Sequence, residues 1–172
     1  QDLLQAADTQ PQAWNALALY WESKDLTKAL EFVEKAVALD RGHMLSFQIK
    51  GAMLLADVSL PEYAYSISHH SIQDRPEHAS NEFFLANQIQ PSLTNFEGMV
   101  DSFMAADRGR EAISTAKEAI SLAPRDYRAI TLVGMALSTD GKGRDKATKT
   151  LKRALAMNPV GCLCGIDLGR AN

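Results

Sequence analysis

Several features common in proteins are scarce or missing from these 172 residues. The two cysteines, Cys162 and Cys164, stand too close together to staple a fold, which excludes a secreted disulfide framework and points to a reducing compartment. Positive charge is in slight deficit, 18 Lys and Arg against 21 Asp and Glu for a formal net charge of −3, so there is no basic footprint for nucleic acid or an anionic membrane surface. No apolar run approaches the roughly 20 residues needed to span a bilayer. The start, Gln1-Asp2-Leu3-Leu4, has neither a charged-then-apolar signal pattern nor an initiator Met. The expectation is a piece of a longer intracellular protein with neither nucleic acid nor membrane as partner.

Catalytic chemistry is equally sparse. The sequence has no Gly-rich phosphate loop, no nucleophile elbow and no His-Glu-x-x-His, so no catalytic residue and no cofactor is assigned. The acidic residues are scattered on helical faces where solvation explains them. Adjacent His69 and His70 would point about 100° apart on a helix, and neither they nor the more distant His43 and His78 have accompanying ligands, so no metal site is expected. The pair Cys162 and Cys164 falls short of the four ligands of a structural zinc.

What is present is a period. Ala29-Val33-Ala36, Ala79-Phe83-Ala86, Ala112-Ala116-Ala119 and Ala147-Leu151-Ala154 share one spacing, and Pro91, Pro124 and Pro159 follow the last three at a constant distance. The starts of the last three segments are 33 and 35 residues apart, and the first gap is 50. Each is preceded by a second helical pattern: Trp14-Leu17-Ala18-Trp21, Phe47-Gly51-Leu54, Phe96-Gly98-Phe103 and Ile130-Val133-Gly134-Leu137. Steps of three and four put these side chains on one helical face, and the small residue in each lets a neighbouring helix approach. Ser23-Lys24-Asp25, Ala106 to Gly109 and Asp140 to Gly143 read as the turns between paired helices, and the prolines as their ends.

This pattern resembles the tetratricopeptide repeat, a helix-turn-helix unit of about 34 residues. Trp14, Leu17, Ala18 and Trp21 match its first-helix landmarks, Gly51, Gly98 and Gly134 its glycine, and Pro91, Pro124 and Pro159 its terminal proline. The resemblance implies an all-α fold, a right-handed superhelical solenoid of antiparallel helix pairs, with repeats at about 10–41, 44–91, 92–124 and 126–159 and partial repeats at 1–8 and 160–172. The gap of 50 exceeds 34 by 16, which places an insertion at 58–73, inside the second repeat. There Ser59-Leu60-Pro61-Glu62 has the form of a capping box, leaving open a short extra helix or a plain surface loop.

In this family first helices line a groove that receives partner segments. The matching columns are Asn15, Gln48, Asn95 and Thr131, and, four residues on, Leu19, Ala52, Met99 and Met135; Glu22, Leu55, Ser102 and Ser138 lie a turn further. The first column offers neutral hydrogen-bonding groups and the second apolar, adaptable ones, a surface suited to an extended or helical protein segment. The alternative is that these are ordinary exposed helix positions. Co-chaperone repeats grip a C-terminal carboxylate with paired cations, and of the matching places here only Arg128 is cationic, so that function is rejected.

A narrower resemblance rests on Lys50-Gly51-Ala52, Phe96 to Val100, Arg110 to Ile113, Asp145-Lys146-Ala147 and Leu151 to Leu155 with Asn158-Pro159. These are similar to the C-terminal repeats of the subunit-seven family of the anaphase-promoting complex, the multisubunit cell-cycle ubiquitin ligase; the 58–73 insertion and the Gly-Cys-Leu-Cys-Gly tail depart from that pattern. The resemblance implies a non-catalytic scaffold that stacks on other repeat subunits and offers groove surface to activator segments. It also implies a homodimer in the full-length protein and a nuclear and cytoplasmic location. The alternative is a peptide-binding adaptor in a chaperone or transport assembly.

Overall fold

A computed structural model describes residues 9–56, 75–139 and 143–158. They form eight helices and, among the described residues, no strand: α1 (Pro11–Glu22), α2 (Leu26–Leu39), α3 (Met44–Ala56), α4 (Arg75–Ile89), α5 (Leu93–Ala105), α6 (Gly109–Leu122), α7 (Tyr127–Ser138) and α8 (Arg144–Met157). The fold is all-α, as the periodicity requires. The 58–73 insertion, the capping box within it, His69, His70, Pro159, Cys162, Cys164 and both partial repeats lie outside the described residues.

Local chemistry sets the helix ends. Pro11 opens α1, where its missing N–H costs nothing. The Asp25 carboxylate caps α2 by accepting from the Lys28 amide at 3.2 Å, and Ser92 and Asp126 cap α5 and α7 in the same way. Asp107, in the turn after α5, has φ 57°, a left-handed conformation that the short polar side chain of Asp tolerates.

The alanine landmarks are the buried seams. Ala29, Val33 and Ala36 on α2, Ala79 and Ala86 on α4, Ala112, Ala116 and Ala119 on α6, and Ala154 on α8 have no exposed surface. Small side chains at steps of three and four make a flat face against which the preceding helix lies closely, and the bulky landmarks fill the remainder. Trp14 stacks on Phe32 with centroids 5.6 Å apart, while Met53 joins Ala18, Ala29 and Val33 in a core reaching across α1, α2 and α3.

The chain divides into two compact units, Gln1–Asp107 and Arg108–Asn172, with the boundary in the turn of the third predicted repeat. In the first unit α1 pairs with α2 and α3 with α4; α2 packs on α3 and α4 on α5. Contacts of α1 with α3 and of α3 with α5 put these three helices side by side in one layer. In the second unit α7 packs against both α6 and α8.

The glycines explain how closely the first unit is packed. Phe83 of α4, buried, inserts its ring between α3 and α5 at the places where those helices carry Gly51 and Gly98. A Cβ on Gly51 would stand 2.8 Å from the ring, and one on Gly98 would fall on it. In the second unit a Cβ on Gly134 would stand 2.5 Å from Cδ2 of Leu151.

Candidate partner groove

The layer of α1, α3 and α5 carries an open groove of about 840 Å³ within the first unit. Its floor is hydrocarbon from Ile49, Met53 and Phe83, and small residues at Ala52, Ala56, Gly98 and Ala105 keep it open. Leu19 and Glu22 of α1 bound one side; Thr94, Glu97 and Asp101 of α5 bound the other. The α5 residues follow each other at steps of three and four, so one face of that helix supplies the whole wall.

The predicted partner residues separate into three groups. Leu19, Gln48 and Ala52 line the groove, together with Glu22 and Leu55 of the third set. Asn15, Asn95 and Met99 are buried at 3%, 0% and 5% exposure. Thr131 and Met135 are half-buried on α7 in the second unit, where the Thr131 hydroxyl donates to the carbonyl of Tyr127 in its own helix.

The amide column therefore ties first helices to one another. Asn15 Nδ2 donates to Ser46 Oγ at 3.0 Å, joining α1 to α3, and Ser46 Oγ is 2.8 Å from His43 Nδ1. Gln48 Nε2 donates to Asn95 Oδ1 at 2.6 Å, joining α3 to α5, and Asn95 Nδ2 donates to the carbonyl of Gln90 at 2.9 Å. A side chain this deeply buried must satisfy its polar atoms within the protein, and Asn95 does so with both ends of its amide.

The groove's charge is what sequence reasoning missed. Three lining side chains are carboxylates, Glu22, Glu97 and Asp101, and no Lys, Arg or His is among the lining residues. Glu97 and Asp101 stand one turn apart on α5, a like-charge spacing that costs a helix a few tenths of a kcal/mol. Desolvation by the surrounding wall, reinforced by the charge of Glu97, raises the Asp101 carboxyl above its ordinary pKa. A detectable signal was present: 94, 97, 101 and 105 form one helical stripe, and acidic positions treated one by one conceal it.

Among the described residues no group of three or more His, Cys, Asp or Glu could hold a metal ion, and no helix is long and apolar enough to cross a membrane.

Hairpins of helices with buried alanine seams, a glycine-permitted wedge between first helices and an open groove on the first-helix layer define a repeat protein of tetratricopeptide type. Two crystal structures of MamA, a tetratricopeptide solenoid protein, share the fold, with TM-scores of 0.67 and 0.69 at 20% and 21% identity; the matches cover 96% and 92% of this chain and 82% and 84% of those chains. The chain is similar to anaphase-promoting complex subunit 7 of Arabidopsis thaliana, 31% identical over 158 residues, which is 92% of this chain and 25% of that protein. It is similar as well to the subunit of the same name from Dictyostelium discoideum, 24% identical over 149 residues, 86% of this chain and 23% of that protein. The chain thus spans about a quarter of the length of the curated relatives it matches. No protein-family model matches it.

Proposed function

We propose that this chain is a non-catalytic scaffold segment of a multisubunit cell-cycle ubiquitin ligase, which docks on other repeat subunits and receives partner segments in the groove across α1, α3 and α5. The observation that carries this reading is the similarity to anaphase-promoting complex subunit 7 along 92% of the chain. The groove supports it physically: exposed Leu19 and Ala52 beside an apolar floor provide surface that a partner side chain can cover. In the same reading the full-length protein is a homodimer, activator segments are among its ligands, and it works in both nucleus and cytoplasm.

The test is co-purification. Tagged full-length protein from its own cells is expected to bring down the ligase's other repeat subunits, and Ala52→Trp, which fills the groove from an exposed position, is expected to weaken retention of a groove-bound partner about ten-fold or more. Recovery of a chaperone or transport assembly in place of ligase subunits would overturn the proposal in favour of an adaptor.

A further inference from the structure

The groove of the first unit combines an apolar floor with charge of one sign. Cations carried elsewhere on the unit are engaged away from it. Lys24 lies 3.4 Å from the centroid of the Tyr20 ring, Lys28 is 3.5 Å from the Asp25 carboxylate, and Lys50 bridges Glu34 at 3.6 Å and Glu82 at 3.0 Å. The carboxylates Glu22, Glu97 and Asp101 thus face the groove with no cation on its lining, and two of them repel each other across one helical turn.

We propose that the groove binds an internal stretch of a partner protein in which apolar side chains alternate with Lys or Arg. The proposal rests on the scaffold reading of this surface and adds the chemistry of the segment it accepts. Alternation matches the layout. In an extended segment successive side chains point to opposite sides, so apolar groups can settle on Ile49, Met53 and Phe83 while long cationic side chains reach the walls. A cation between Glu97 and Asp101 removes their repulsion, an advantage a neutral segment lacks. Three helices side by side at about 8–10 Å spacing are crossed by roughly six extended residues. The segment is internal because a chain's terminal carboxylate would meet Glu22, Glu97 and Asp101 with nothing to pair it.

The test uses the full chain and end-blocked synthetic peptides of about six residues, read by fluorescence anisotropy. A Leu–Lys alternating peptide is expected to bind about ten-fold tighter than its Leu–Gln counterpart, with the preference shrinking as salt rises to about 0.5 M. Leaving the C-terminal carboxylate free is expected to weaken binding. The pair Glu97→Gln with Asp101→Asn, and separately Glu22→Gln on α1, should reduce the preference for Lys without altering the helical circular-dichroism signal. Ala52→Trp should weaken both peptides. Equal binding of the two peptides, or a preference untouched by both sets of substitutions, overturns the charge assignment while an effect of Ala52→Trp leaves the groove reading intact. Binding of neither peptide also overturns the proposal, and the scaffold reading is then judged separately by ligase co-purification.

Discussion

At the scale of single residues, much of the packing turns on side chains that are absent. Gly98 and Gly51 exist as glycines because the Phe83 ring occupies the space their Cβ atoms would need. Phe83 is buried and has no room to rotate away, so Gly98→Val is expected to lower the free energy of unfolding by about 1–3 kcal/mol through overpacking. Gly134→Val should cost less, because Leu151 is only half-buried and can turn aside. Urea unfolding of both variants checks the order, and an unchanged midpoint for Gly98→Val would remove Phe83 as the wedge. Asp101 makes a different prediction. Its raised pKa means that the folded protein binds this proton more readily than the unfolded chain does, so stability falls as pH rises through the interval between the two values. Asp101→Asn is therefore expected to stabilise at neutral pH by a few tenths of a kcal/mol, a small figure because the side chain keeps contact with solvent. That gain should disappear below about pH 4, where the ordinary carboxyl is protonated as well. Thermal melts at both pH values decide it, and a gain independent of pH would contradict the assignment.

At the scale of helices, the amide column carries information that its spacing concealed. Asn15, Gln48 and Asn95 occupy equivalent places and suggested a row of groups facing a ligand. In the folded chain Asn15 bonds to Ser46 and Gln48 to Asn95, so the row links each first helix to the next. Position within a helix follows from sequence spacing, whereas the partner on a neighbouring helix depends on how the two axes are offset. Asn95→Ala would leave the Gln48 amide and the Gln90 carbonyl without their bonds, at an expected cost of about 1–3 kcal/mol. A double-mutant cycle with Gln48→Ala should show coupling of at least about 0.5 kcal/mol. Additive effects would mean that the Gln48–Asn95 bond contributes nothing to holding α3 on α5.

At the scale of the whole molecule, the described helices fall into two compact units, with the division in the turn that contains Asp107. The helix pairs, their turns and their buried faces were legible from the amino-acid order, because each depends on residues three, four or seven apart within one helix. Ala112, Ala116 and Ala119 announce a seam before any partner helix is known, and the structure buries all three. The groove was only partly legible: Leu19, Gln48 and Ala52 line it as their register suggests, yet its acidic wall escaped notice. Glu22 and Asp101 are 79 positions apart in sequence and line one groove only because α3 lies between α1 and α5. By itself, then, the sequence determined an all-helical repeat with close-packing glycines, since short-range periodicity governs which face of each helix is buried. Only tertiary structure decided that the amides join helices and that the groove is acidic, because those properties arise from side chains on different helices converging after the helices have packed.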